Sequence, residues 1–385
     1  MASSSKKRVG IYVHVPFCLS KCHYCDFCSV QHTDEETREQ YTEQVCREIG
    51  HFSSLIGDKG DIPVADSVYF GGGTPTLLSA KQIARILGTV NTCFGIDGDA
   101  EITVETNPKT ADAEKLGELR SVGVNRLSIG MQSIHDSELR ALGRIHSSAD
   151  FLKTYEDARR VGFDNLSVDL MYGIPNQTKE SFAMSVKSLA MLKPEHISSY
   201  CLTVEEGTNF HRRRDSLALP DEDTVSDMYG EMGEILSRFG YEKYEISNFS
   251  KKGRESRHNL KYWRCEDYLG FGVAAHSYFE GVRFAHSRDL DAYLNGQSII
   301  IEVERIGAEE AMNEFVLLGM RLSRGVDLAE FSARFGRDFC ECFPAFAKYS
   351  PEFVQLDGER CRFTDKGMFV SSYILSEALS FGEET

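Results

Sequence analysis

Three cysteines stand at CxxxCxxC spacing in Cys18-Leu-Ser-Lys-Cys22-His-Tyr-Cys25, just after the apolar run Gly10-Ile-Tyr-Val-His-Val15. Thiolates at that spacing can hold three corners of a cubane iron–sulfur cluster. The fourth iron then lacks a protein ligand and can take a small molecule. The alternative is zinc, with His14, His23 or Cys28 as a further donor. Structural zinc sites usually join two separated ligand pairs, and no second pair is evident, so the spacing favours a cluster. Cys46, Cys93, Cys201, Cys265, Cys340, Cys342 and Cys361 are scattered and read as packing residues.

A second motif, Phe70-Gly-Gly-Gly-Thr-Pro75, lacks the GxxxxGK[ST] spacing of a phosphate loop. It also lacks the third glycine of a dinucleotide fingerprint. Glycines after a strand let a ligand lie against bare backbone and meet amide hydrogens. Glu105, Gln132 and Asp169 complete the set of residues that invite a chemical reading.

These residues need elements to position them. Short apolar, β-branched runs predict strands at Val9–Val13, Ser67–Phe70, Ile102–Glu105, Arg126–Gly130, Leu166–Leu170 and Ile197–Leu202. Helical periodicity falls between them, near Glu35–Ile56, Ala80–Val90, Ala111–Ser121, Ala149–Val161 and Glu180–Leu192. Repeated βα units mean an α/β protein, either doubly wound or a partial (β/α)6 barrel. The cysteine loop follows the first strand, the glycine loop the second, and Glu105, Gln132 and Asp169 lie at or after the ends of the next three. In a parallel barrel those ends share one face, where ligands bind, so the barrel is the expectation. After a helix near Thr224–Phe239 the texture changes. Tyr241–Tyr278 is aromatic-rich without a clean period. Helical patterns then dominate (Ala311–Leu322, Leu328–Phe335, Phe339–Tyr349), followed by a β-like Phe353–Phe363. The expected division is 1–238 for the core barrel, 239–302 for an accessory segment and 303–385 for a smaller, mainly helical C-terminal domain.

Composition narrows the class. The formal net charge of −16 argues against nucleic-acid binding, and the one basic run, Arg212-Arg-Arg214, reads as a solvated turn. No run of about 18 apolar residues is present, so no membrane span is expected. The opening Met1-Ala-Ser-Ser-Ser-Lys-Lys-Arg8 lacks the apolar stretch of a secretory signal. Eleven cysteines then read as reduced thiols in a cytoplasmic protein.

Taken together, the residues resemble the radical S-adenosylmethionine (SAM) superfamily. The motifs are Cys18–Cys25 with Tyr12 and Tyr24, the loop Gly71–Thr74, Glu105, Val124-Asn-Arg-Leu-Ser-Ile-Gly-Met-Gln132, Leu142-Gly-Arg-Ile-His146, Asp169-Leu-Met-Tyr-Gly-Ile-Pro175, Tyr244-Glu-Ile-Ser-Asn-Phe249 and Phe363-Thr-Asp-Lys-Gly367. The resemblance is closest to the branch containing oxygen-independent coproporphyrinogen III oxidase and the haem chaperone HemW. It implies that Cys18, Cys22 and Cys25 bind three irons of a [4Fe–4S] cluster while SAM chelates the fourth. It further implies that Gly72, Gly73 and Thr74 meet the amino-acid end of SAM, that Glu105 and Arg144 fix its charged groups, and that Gln132 and Asp169 hold the ribose hydroxyls. Tyr12 and Tyr24 would line the site.

Two details divide that branch. The oxidase pattern places a fourth cysteine two residues after the third; here that place is Phe27, as in the HemW-like pattern, with Cys28 one residue on. Arg257-His-Asn-Leu-Lys-Tyr-Trp263 matches the HNxxYW motif linked to haem in HemW-like proteins. Imidazole is a common haem-iron ligand, aromatic rings stack on a porphyrin, and His258 and Tyr262 would share a helix face. The resemblance therefore implies haem contact by His258, Tyr262 and Trp263, with His276 a second candidate. The expectation is haem binding and delivery to acceptor haemoproteins, with monomer–dimer exchange. The rival is radical oxidative decarboxylation of a tetrapyrrole propionate by an oxidase.

Overall fold

The computed structural model describes residues 7–31, 33–297 and 300–379; the opening residues 1–6, read for a secretory signal, lie outside them. Six parallel strands run in chain order through the centre of one sheet: β1 (Arg8–Val15), β2 (Val64–Gly72), β3 (Ile96–Thr106), β4 (Arg126–Gln132), β5 (Leu166–Tyr172) and β6 (His196–Cys201). Helices Glu35–Gly57, Ala80–Cys93, Ala113–Ser121, Ser148–Arg160, Lys179–Leu192 and Glu222–Arg238 separate or follow them. Each begins at a side chain that accepts from a first-turn amide: Asp34, Ser79, Asp112, Ser147, Thr178 and Asp221 in turn.

Every residue of β4 is buried, yet its sequence alternates polar and apolar. Leu127, Ile129 and Met131 join the large apolar core. Arg126, Ser128, Gly130 and Gln132 instead line a cavity shared with Tyr69 of β2, Glu105 of β3, Asp169 of β5 and Tyr200 of β6. Period-2 alternation normally separates core from water; here it separates an outer apolar layer from a polar lumen. Side chains of five strands meet in one space, which is what a sheet curled into a partial barrel provides.

The segment read as aperiodic, Tyr241–Tyr278, is the main departure from the sequence reading. It supplies strands to both edges of the sheet. Beyond β6 come β7 (Glu242–Lys243) and β8 (Asn248–Ser250), antiparallel. Beyond β1 come β9 (Tyr268–Phe271), parallel to it, and then antiparallel β10 (His276–Phe279), β11 (Val282–His286) and β12 (Ile300–Arg305). Strands of two to six residues carry too little periodicity to be read from sequence. The expected helix Phe339–Tyr349 is also broken: an α-helix ends at Cys342, and a 3-10 helix starts at Pro344, whose ring disfavours a helical residue before it. The C-terminal region otherwise packs helices against a small sheet of Val326–Asp327, Arg360–Phe363 and Val354–Leu356. It has its own aromatic core of Phe315, Phe331, Phe339, Phe343 and Phe346. Arg212, Arg213 and Arg214 are exposed as expected, and among the described residues no helix is long and apolar enough to cross a membrane.

Candidate active site

The cysteine loop leaves the end of β1. Phe17–Cys18 pairs in parallel with Val30–Gln31, and the Val30 amide donates to Pro16 O at 2.7 Å, so both ends of the loop are tied together. Its middle is fastened to the barrel: the His23 amide donates to Leu142 O, and the Phe210 amide to His23 O, both at 2.9 Å. Cys18, Cys22 and Cys25 all line the same cavity of about 570 Å³. Burial pushes the Cys25 thiol up to about 11 and raises that of Cys18, with neighbouring thiols adding to both effects. Such thiols give up their protons when a metal supplies positive charge. Among the described residues, no three His, Cys, Asp or Glu side chains gather about one point as a single ion requires. His14 and His23, the candidate zinc donors, are already hydrogen-bonded, His14 through Nε2 to Cys28 O and His23 through Nδ1 to Ala141 O. Cys28 half-buries its thiol and donates to Arg288 O at 3.8 Å. The donor set fits a cluster, in which each thiolate meets a different iron.

The glycine loop closes the next side. Gly72 has φ +109°, and a Cβ there would lie 2.6 Å from the His14 ring. At Gly73 a Cβ would lie 2.6 Å from Phe17 O and 3.1 Å from Cys18 Sγ, so only glycine lets the two loops touch. Thr74 Oγ1 lies 3.7 Å from Cys18 Sγ and accepts from Asn107 Nδ2 at 2.9 Å. Glu105 accepts from the Tyr69 hydroxyl at 2.8 Å and the Gly72 amide at 3.2 Å. Burial, with the charge of Asp169 second, nevertheless pushes its carboxyl up to about 7. Asp169 accepts from Ser128 Oγ at 3.2 Å, and burial raises its carboxyl too. Arg144 donates to Asn107 Oδ1 at 2.5 Å, Gly130 O at 2.9 Å and Cys22 Sγ at 3.5 Å. Gln132 sits at φ +64° beside a bulge in β4, a strained backbone of the kind found where a side chain is aimed at a ligand. Tyr24 lines the cavity.

Five residues expected at the site are placed elsewhere. Tyr12 stands one layer behind, its ring 3.0 Å from where a Gly71 Cβ would be and its hydroxyl 3.2 Å from His14 Nδ1. His258 is 1% exposed, and both ring nitrogens are engaged: Nδ1 with Ser67 Oγ at 2.9 Å and Nε2 with the Tyr262 hydroxyl at 2.8 Å. Its ring stacks on Tyr69 at 5.3 Å. Tyr262 packs edge-on against Tyr268, and Trp263 is half-buried on the same helix, Arg257–Trp263. The motif residue that reaches the cavity is Asn259. His276 is exposed on β10, outside the cavity.

Residues 12–189 match the Radical SAM superfamily, and residues 306–370 match the HemN C-terminal domain. The Heme chaperone HemW of Bacillus subtilis (strain 168) is 35% identical over 347 residues, which cover 88% of this chain and 89% of that protein. The chain belongs to the HemW family of radical SAM proteins. The HemW of Lactococcus lactis subsp. lactis (strain IL1403) is 32% identical over 97% of this chain and 98% of its own. The solved structure of coproporphyrinogen III oxidase (HemN) from Escherichia coli, a radical SAM enzyme, has the same fold. Its TM-score is 0.83 and its identity 24%, over 96% of this chain and 90% of that one.

Sequence reasoning missed several residues that the HemW-family cavity contains. Asn107 positions both Thr74 and Arg144. Tyr69 holds Glu105. Cys201, read as a packing residue, lines the cavity wall, and Cys340 is exposed. Arg126 is 2% exposed and lies in the lumen. Counting back by twos from Gln132 through Gly130 and Ser128 reaches Arg126, and that count was the available signal.

Proposed function

We propose that this protein binds haem and hands it to acceptor haemoproteins in the cytoplasm, with a [4Fe–4S] cluster and SAM held in the cavity. The observation that carries the reading is Phe27. In a chain 35% identical to a protein named as a haem chaperone, a 62% exposed phenylalanine occupies the place of the oxidase's fourth cysteine, at the cavity mouth. Cys18, Cys22 and Cys25 would hold three irons, Gly72, Gly73 and Thr74 the amino-acid end of SAM, and Gln132 and Asp169 its ribose. When bound, the cluster and SAM supply one-electron chemistry.

The chain's own residues prepare that space. Tyr69 and the Gly72 amide fix the Glu105 carboxylate where an amine can meet it. Asn107 and Gly130 O hold the Arg144 guanidinium, leaving its charge to serve a carboxylate and the Cys22 thiolate. Phe27, Tyr24 and Tyr200 give the mouth the apolar and aromatic surface that a porphyrin ring requires. A reducing compartment suits eleven unpaired cysteines.

Haem-loaded, cluster-reconstituted protein mixed with an apo-haemoprotein tests the reading. The expected result is a shift of the Soret band to that of the acceptor. Retention of haem by a cluster-loaded chain would overturn it, and anaerobic conversion of coproporphyrinogen III to protoporphyrinogen IX would replace it with an oxidase.

A further inference from the structure

The lumen contains a buried cation with one donor left unpaired, although Glu101, Tyr69 and Asp169 surround it with favourable charge. Arg126 is among the largest fully buried side chains of the molecule, and it lines the cavity. Its Nε has no hydrogen-bond partner among the described residues. The carboxylate paired with it, Glu101, keeps its oxygen 3.9 Å from that nitrogen. Glu101 Oε1 meanwhile accepts from the His258 amide. Leaving a buried guanidinium donor unpaired is costly, so the arrangement suits a ligand that completes it. Asn259, the HNxxYW residue that lines the same cavity, follows directly on His258, whose amide meets the Glu101 carboxylate paired with Arg126; its carboxamide can donate a second hydrogen bond.

We propose that Arg126 and Asn259 form a carboxylate-binding subsite at the floor of the lumen, separate from the place where the amino-acid end of SAM would sit. The strand fixes the separation. Arg144 meets Gly130 O, whereas Arg126 lies four residues earlier on β4, about 13 Å along the strand at roughly 3.3 Å per residue. Arg144 is engaged by Asn107, Gly130 O and Cys22, whereas Arg126 pairs with Glu101, so the two guanidiniums have different partners in the lumen. Guanidinium with a neighbouring amide is a strong receptor for a carboxylate. The tetrapyrrole of the haem-chaperone reading, on which this choice of ligand rests, carries carboxylates as propionates. The HNxxYW motif thus serves the ligand through its asparagine, while its histidine secures the floor.

The test uses full-length, anaerobically reconstituted protein and four probes: haem, haem dimethyl ester, SAM and decarboxylated SAM. Wild type is expected to prefer haem over its ester by roughly tenfold or more, as charge-assisted hydrogen bonds allow. Arg126→Gln should abolish that preference, Arg126→Lys keep part of it, and Asn259→Leu reduce it. All three should leave the preference for SAM over decarboxylated SAM intact. Circular dichroism and iron content verify that each variant is folded and loaded. Loss of the SAM preference alone in Arg126→Gln would overturn the separate subsite, because the carboxylate that Arg126 meets would then be that of SAM. Unchanged preferences in folded Arg126→Gln would overturn the subsite. Failure of wild type to bind haem at all would instead defeat the chaperone reading, and with it the tetrapyrrole carboxylate as the ligand of this subsite.

Discussion

Glu105 is held by two donors and yet titrates near neutrality, because burial and Asp169 outweigh the Tyr69 and Gly72 hydrogen bonds. The sign has two consequences. With a folded pKa raised above its ordinary 4.5, Glu105 contributes stability to the empty protein below about pH 4.5, and that contribution is lost as pH rises toward about 7. An amine that needs the ionised carboxylate shows the reverse trend. SAM affinity is expected to increase as pH rises through about 7, and Glu105→Gln to flatten that dependence and weaken binding by roughly tenfold to a hundredfold; equilibrium dialysis across pH 6–8 (about two units centred on the titration) measures both. A flat wild-type profile would contradict this role. Gly73 makes a steric prediction. Gly73→Ala puts a methyl group against Phe17 O, Val15 O and Cys18 Sγ, so the cysteine loop must move. The expected outcome is a folded chain with reduced iron content after reconstitution, and undiminished loading would show that the two loops are less closely fitted.

At the scale of elements, the helix Arg257–Trp263 works as a plug beneath the barrel. His258 spans Ser67 of β2 and its own Tyr262, and stacks on Tyr69, the residue that holds Glu105. Burial and nearby Lys261 and Arg126 drive its imidazole down to about 3, so it is neutral at physiological pH. His258→Ala is expected to cost about 3 kcal/mol, from two lost hydrogen bonds and a cavity, and to lower the melting temperature while sparing haem absorbance. Loss of the Soret band from a folded variant would make the imidazole an iron ligand. The six central strands were legible because each is a short apolar run, and their C-terminal ends predicted that the cysteine loop, the glycine loop, Glu105, Gln132 and Asp169 would converge. What could not be read was direction at depth. Nothing in Arg257-His-Asn-Leu-Lys-Tyr-Trp263 says that Asn259 faces the lumen while His258 faces Ser67, because that depends on how the helix packs under strands distant in sequence. The edge strands were hidden for a related reason. Their pairing is set by β1 and β6 rather than by their own pattern.

At the scale of the whole molecule, the C-terminal region is fastened to the barrel where Glu245 bridges Leu322 and the Ser323 amide donates to Tyr244 O at 3.0 Å. Glu245 is fully buried, its Oε1 has no partner among the described residues, and burial pushes its carboxyl up to about 7. Its ionised form therefore weakens the junction above neutrality. Glu245→Gln is expected to stabilise the protein by about 3 kcal/mol at pH 8 and to have little effect below its ordinary 4.5, as a shift of this size implies; paired thermal melts at the two pH values measure it. The junction matters because the same chain segment leads into the plug helix, and so to the cavity. The central claim is that Cys18, Cys22 and Cys25 hold a cluster with one iron open to SAM. Anaerobic reconstitution with iron and sulfide, followed by metal analysis and electron paramagnetic resonance of the reduced protein with and without SAM, tests it most directly. The account predicts about four irons and four sulfides per chain and a spectrum that changes when SAM is added. A single zinc, or a cluster spectrum indifferent to SAM, would contradict it.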